Sequence, residues 1–415
     1  MIPTLRTAVL LALAAATALV VPAPWPLVLF LSVLVAAAVD GWSVRGTPVV
    51  AQSVPKLLSR GVPANLNLAL GSLPGTVELY QPSVPDLRLE TQEARLGTLK
   101  TSVTALRRGH HTLPSPAVRR TGLLGLASTR HRVGVEKPVV VYPDMPAAYR
   151  LVMSVRTGRT SDDGSRAQGR MGLGTEFESI RDYQPDDDIR QVNWRATART
   201  GRPMSNQFRV EQDREVIVVI DAGRLMAAPL GIATRLDAAV DAATSVALVA
   251  DEVGDRAGVV AFDRAILRNV RPARGGGDAV VRAIFDLEPS SHDSNYDAAF
   301  SVVGSSKRAF VLVLTDLVDL AAARSLIAGV PLLVRRHAVV VASVIDTGVD
   351  EVLVTAPTVA ADTYRAAVAL EVRQERALVK ERLRHAGATV IDAHHRHFSA
   401  RCVNAYLTAK SSARL

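Results

Sequence analysis

Five short runs in the second half of the chain, "EVIVVID" (215–221), "AGVVAFD" (257–263), "AFVLVLTD" (309–316), "HAVVVASVID" (337–346) and "ATVIDAH" (388–394), are apolar without alternation. A strand with one face in water alternates; a strand covered on both faces does not. Between the runs the period changes to that of a helix. In "RLDAAVDAATSVALVADEVG", Leu236, Ala239, Val240, Ala243, Val246 and Ala247 fall on one face. Further helical stretches are expected around 278–303, 319–329 and 358–386. Strands alternating with helices in this way predict an α/β domain over 214–415, a parallel sheet with helices on both faces. Ligands gather at the carboxyl ends of such strands. Asp221, Asp263, Asp316, Asp346 and Asp392 lie at or near those ends.

The first 44 residues obey different rules. "LRTAVLLALAAATALVV" (5–21) and "LVLFLSVLVAAAV" (27–39) carry no charge beyond Arg6, and "VPAPWP" separates them. Each run is at or below the ~20 residues of a membrane helix. Together they predict a transmembrane hairpin, about 5–21 and 25–39, with Trp25 at the interface. A secretory signal peptide has a similar outline, but the second apolar run directly behind the first argues against cleavage. Arg6 on one side and Arg45, Lys56 and Arg60 on the other flank an uncharged connection, which places both ends in the cytoplasm. We therefore expect a multi-pass protein of the bacterial inner membrane with cytoplasmic soluble domains.

Residues 45–148 hold short alternating runs such as "NLNLAL", "TVELY" and "KTSVTAL", broken by Gly and Pro, and predict a small all-β, sandwich-like domain. Residues 149–213 are polar and Arg-rich. The net charge of +9 is spread along the chain and interleaved with acids, so it does not single out a nucleic-acid partner. The single cysteine, Cys402, excludes an internal disulfide and a multi-cysteine zinc site.

Only 4% of residues are aromatic, yet "GLGTEFESIRDYQPDDDIRQVNWRATART" (172–200) sets Phe177, Tyr183 and Trp194 among Arg, Asp and Glu. Pro185 and the acids at 186–188 read as a helix start, with Asp186 in reach of Arg190 and Gln191 in reach of Arg195, and with Ile189, Val192 and Ala196 as an apolar stripe. Arg181, Arg190, Arg195 and Arg199 should balance the acids. No His lies in the segment, and nothing marks a carboxylate as buried, so acid/base catalysis is not indicated. Trp, Tyr and Arg are instead the side chains that most often anchor interfaces.

The run Glu176, Phe177, Arg181, Tyr183, Pro185, Asp187, Asp188, Arg190, Trp194, Ala198 and Arg199 resembles the core motif of the bacterial family known as "domain of unknown function 58". Asp186 stands where that family usually has Gly, and Asn193 where it often has Asp. The resemblance implies a von Willebrand factor A-like, doubly wound domain behind the motif, and a MoxR-type AAA+ ATPase as partner. It also directs attention to the first strand end. In von Willebrand A domains an Asp-x-Ser-x-Ser sequence, a Thr and a later Asp hold magnesium. Here the stretch is "DAGRLM": Asp221 remains, Gly223 and Leu225 replace the two serines, Asp316 matches the later acid, and Ser294 or Asn295 falls near the Thr. Two hydroxyl ligands are lost, so we expect a degenerate site without metal or other cofactor, Asp221 and Asp316 capping helices or pairing with a nearby Arg.

"DAHHRHF" (392–398) invites a zinc reading but is expected to be a polar loop. No phosphate loop, dinucleotide fingerprint or GxSxG elbow is present. The expected function is a non-enzymatic, membrane-anchored adaptor with a chaperone-like role in assembly or activation of envelope proteins. Glu176, Phe177, Arg181, Tyr183, Asp187, Asp188, Arg190, Trp194 and Arg199 would form its partner-binding surface. A metal-dependent adhesion module on the outer face and a hydrolase using strand-end Asp and His groups are the alternatives.

Overall fold

The computed structural model describes residues 2–22, 24–71, 75–95, 97–158, 176–184, 187, 189–209, 213–345 and 347–412; at 176–178, 190, 207–209 and 347 it describes the backbone alone. The chain is a mixed α/β protein that divides into two compact units, Met1–Tyr142 and Pro143–Leu415.

In the first unit, helices α1 (Leu5–Thr17) and α2 (Trp25–Ser43) lie side by side. Helix α2 is long and apolar enough to cross a membrane; α1 is apolar but short. Both differ from the apolar runs in extent. The first helix ends at Thr17, and the second continues through Asp40, Gly41 and Trp42 because the Asp40 carboxylate finds backbone partners there. The rest of the unit forms three sheets of five, four and three strands, the five-stranded one taking its edge strand, Ile2–Pro3, from ahead of α1. In Pro63–Leu70 the alternation reads out directly, with Leu66 and Leu68 buried and Asn65 and Asn67 exposed. Leu79, Leu87, Leu99, Val103, Leu113, Val118, Val139 and Val141 belong to the same apolar core.

The second unit opens with α3 (Met145–Arg156), a helix that strand patterning hides. Asp144 caps it by accepting from the Ala147 amide at 2.9 Å, and Ala148, Val152 and Val155 bury the face that meets α5. A hairpin of β1 (Glu176–Asp182) and β2 (Met204–Arg209) follows, enclosing the short helix α4 (Trp194–Thr200).

Then come β3 (Glu215–Asp221), α5 (Arg235–Glu252), β4 (Arg256–Phe262), β5 (Ile266–Ala273), α6 (Gly277–Ile284), α7 (Tyr296–Gly304), β6 (Ala309–Leu314), α8 (Arg324–Val334), β7 (Ala338–Ile345), α9 (Thr347–Val354), α10 (Ala360–His385), β8 (Thr389–His394) and α11 (His395–Ser411). The six strands from β3 to β8 form one sheet in the order β5-β4-β3-β6-β7-β8. All pairings are parallel except β4 with β5 at the edge. Helices α5, α6 and α11 pack on one face, with α3 against α5; α7, α8 and α10 pack on the other. Coverage from both sides is why β3 and β6 are buried almost end to end. Lys410 and Tyr406 anchor α11 beneath the sheet, both contacting the Asp255 carboxylate, the lysine at 2.6 Å.

Candidate functional site

The charged stretch does not form the helix that its acids suggest. Residues Ile189–Gln191 make one 3-10 turn, and α4 begins only at Trp194, where Asn193 caps it by accepting from the Ala196 amide at 2.9 Å. Asn193 also donates through its amide to Asn206 Oδ1 at 2.8 Å, and its backbone N–H bonds Met204 O, so the cap is tied to the returning strand β2. The apolar stripe expected from Ile189, Val192 and Ala196 therefore does not exist as one helical face, and Ile189 is exposed. Pro185, Asp186 and Asp188 lie outside the described residues, as do the side chains of Glu176, Phe177 and Arg190.

What the hairpin does assemble centres on Asp187. Arg181 donates to its Oδ1 at 2.5 Å, the Gln184 amide to its Oδ2 at 2.9 Å, and the Tyr183 hydroxyl to its carbonyl at 3.2 Å. The Gln184 amide and the Arg181 guanidinium hold the Asp187 carboxyl below its ordinary value. On the same segment Trp194 (71% exposed), Ile189 and Ile180 are exposed, as are Arg195 and Arg199 along α4. The segment thus combines a hydrogen-bonded charge knot with exposed aromatic and aliphatic side chains.

The strand ends of the large sheet are the opposite. Asp221, 1% exposed, accepts four hydrogen bonds. Its Oδ1 takes the Gly223 amide at 2.8 Å and the Ser294 hydroxyl at 2.5 Å; its Oδ2 takes Tyr296 at 3.0 Å and Thr315 at 2.6 Å. Burial, and then the negative charge of Asp221, raises the Tyr296 phenol well above its ordinary value, so it stays a proton donor. Asp316 lies between two guanidiniums, Arg235 at the start of α5 and Arg376 on α10 at 3.1 Å. Arg376 continues to Asp392 at 3.3 Å, and Lys380, one turn further along α10, reaches Asp392 at 2.8 Å. A cation at the N-terminus of α5 opposes the helix dipole; Asp316 offsets that.

Magnesium does not fit this arrangement. It needs near-octahedral oxygen ligands, whereas both Asp221 oxygens are saturated by N–H and O–H donors and Asp316 is held by two cations. A Cβ on Gly223 would come within 2.1 Å of Ser294 Oγ, so the space a serine side chain would need there is filled. Leu225, half-buried, offers no oxygen. Among the described residues no cluster of three or more His, Cys, Asp or Glu converges on a point that could hold a metal.

The family described as "Protein of unknown function DUF58" matches residues 179–390, about half of the 415-residue chain, and takes in Arg181, Asp187 and Trp194 of the hairpin and Asp221, Asp316 and Arg376 of the strand-end centre. The chain belongs to the DUF58 family. It is 32% identical over 105 residues to proteins of Mycobacterium bovis and Mycobacterium tuberculosis, each titled only as uncharacterized; the match covers 25% of this chain. The chain spans about a third of the length of these relatives (33%). Among solved structures, a protein of unknown function from Porphyromonas gingivalis W83 aligns over 25% of this chain and 50% of its own, with 14% identity and a TM-score of 0.20. A cohesin module from Clostridium perfringens aligns over 23% and 97%, with 10% identity and a TM-score of 0.16.

Of the remaining candidates in this DUF58 chain, Asp263 turns back on its own loop, accepting from the Ala265 amide at 2.9 Å. Asp346 lies outside the described residues. The His-rich stretch is not a loop: His394 closes β8, and His395 and His397 start α11, all three exposed. Asn295 caps α7, while its neighbour Ser294 is the one that reaches Asp221. Burial raises the Cys402 thiol far above the range in which it would react. Sequence reasoning missed Arg235, Tyr296, Thr315 and Arg376. The only local hint was Thr315 beside Asp316 at a strand end.

Proposed function

We propose that this DUF58 protein is a non-enzymatic, membrane-anchored adaptor whose β1–β2 hairpin presents a docking surface to a partner protein. The observation that carries the reading is the exposure of Trp194, and of Ile189 and Ile180, on a segment whose shape Asp187 and Asn193 fix. An uncovered Trp next to Arg side chains is the composition of an interface anchor. The proposed partner is a MoxR-type AAA+ ATPase, the role a chaperone-like one on envelope proteins, as the family resemblance implies. Co-purification of that ATPase from native membranes should be lost on Trp194→Ala and weakened by Ile189→Ala. Unchanged recovery with folded variants would sink the reading.

The strand order β5-β4-β3-β6-β7-β8 with its antiparallel edge supports a von Willebrand factor A-like reading of the second unit, and the shared core of the first unit's sheets supports a sandwich-like one. In the former, hydroxyl protons and guanidiniums take the place of a divalent ion. Titration calorimetry with magnesium should give no binding heat; micromolar affinity would restore the adhesion-module alternative. For the anchor, α1 and α2 form a hairpin through the inner membrane with both ends in the cytoplasm. A C-terminal reporter active only outside the cytoplasm should stay silent.

A further inference from the structure

Between the strands Ala117–Thr121 and Ala127–Arg132, "GLLGL" (122–126) makes a tight turn closed by Gly122 N–H to Ala127 O and Gly125 N–H to Gly122 O, both at 3.0 Å. Leu126 points inward, but Leu123 and Leu124 are 76% and 57% exposed. The turn is pinned to the ends of both apolar helices. Asp40, in the last turn of α2, accepts from the amides of Leu124 (2.9 Å), Leu126 (2.8 Å) and Ala127 (3.1 Å). From the first turn of α1, Thr7 donates to Leu126 O, and Thr4 donates to Gly125 O at 2.6 Å. The fit leaves no slack: a Cβ on Gly122 would lie within 2.4 Å of the Asp40 carboxylate, and Gly125 holds φ +68°.

We propose that this turn is a loop-borne membrane contact, with Leu123 and Leu124 entering the leaflet that the outer ends of α1 and α2 already reach; the inference rests on the membrane reading above. At 1.5 Å per residue, Thr7 and Asp40 each lie within about 5 Å of their helix ends. The turn therefore sits beside the boundary of headgroups and acyl chains. An apolar medium demands paired backbone groups, and Asp40, Thr4 and Thr7 provide partners for five of them. The surroundings suit the same depth. Arg6 and Arg45 are exposed for anionic headgroups, and Trp42, 72% exposed, lies under the Arg45 guanidinium at 5.3 Å, as interfacial aromatics do.

The test uses the full chain in phosphatidylcholine/phosphatidylglycerol vesicles containing lipids brominated near the headgroup end of the acyl chain. An environment-sensitive fluorophore is placed in turn on Leu124→Cys, Leu123→Cys, Leu31→Cys in the middle of α2, and Val135→Cys in another exposed turn of the unit; native Cys402 is buried. Labels at 123 and 124 should be quenched about threefold more than the label at 135, as for groups held roughly 5–10 Å below the interface. Quenching at 31 but not at 123 or 124 would overturn the inference and leave the anchor standing. Absence of quenching at all four would overturn both. A blue-shifted but unquenched label at 124 that depends on protein density would mean that a second copy covers the turn, and would also overturn it.

Discussion

Asp316 is 1% exposed at its side chain and Arg235 and Arg376 are 11% exposed, whereas the hairpin pair Arg181–Asp187 stands at 37% and 11%, and Trp194 on the same segment is 71% exposed. Both regions are built from Arg and Asp, and both belong to the same unit. At the strand ends Asp221, Asp316 and Asp392 are each engaged by donors or cations, from the Asp221 hydroxyl cage to the chain Arg235–Asp316–Arg376–Asp392–Lys380. On the hairpin one carboxylate is saturated, while Trp194, Ile189 and Ile180 are exposed. Buried charge with nothing left to bind holds a fold together; a shaped, uncovered surface is available to a partner. On the proposed reading, the strand-end carboxylates serve the fold and the hairpin ahead of the sheet serves recognition.

The largest effect should come from Arg235→Ala. It removes one of two cations from a fully buried carboxylate, which typically costs about 3–5 kcal/mol, read as a fall in denaturant midpoint. If the variant is as stable as wild type, Asp316 has access to water or to another cation, and the contrast between the two regions breaks. Asp221→Ala should cost less, about 1–3 kcal/mol. It strands the Gly223 amide and the Ser294 hydroxyl, while Tyr296 and Thr315, 2.7 Å apart, can still satisfy each other. An increase in magnesium affinity in that variant would contradict the view that the centre is closed by protons.

How much of this could be read in advance depended on whether the deciding partner was local. Strands β3, β4, β6 and β7 were legible because burial on both faces erases polar positions. The start of α10 was legible to within a few residues from its periodicity. Helix α3 was signalled, by Asp144, Pro146 and apolar positions at 148, 152 and 155, but lay across the border drawn between a strand-rich and a polar region. The misplaced start of α4 has a physical cause. Pro185 and three acids imitate a helix N-terminus, yet the cap is Asn193, whose side-chain amide is also engaged by Asn206 from the far strand. The same holds at the strand ends: nothing local to Asp316 told that Arg235 and Arg376, from opposite faces of the sheet, would close around it. Pairings across the fold leave no period in the sequence.

The smallest expected effect concerns the order of the hairpin itself. Its knot rests on an ionised Asp187, whose carboxyl the Gln184 amide and Arg181 hold below the ordinary aspartate value of 3.8. A lowered folded-state value means that the contribution is fully present above the unfolded value and disappears as pH falls through the folded one. Protection of the Gln184 amide, its exchange rate relative to that of an unstructured amide at the same pH, should therefore be flat from neutral pH to about 4, by comparison with a free aspartate, and should be lost only below that. Asp187→Asn should lose part of the protection at every pH and show no acid step. Because the pair is partly solvated, global stability should change little, while capture of a partner through Trp194 should weaken if the knot positions that side chain. A wild-type step centred above 4 would mean that Arg181 does not hold the carboxylate, and the hairpin would then be a loosely charged loop instead of a preformed surface.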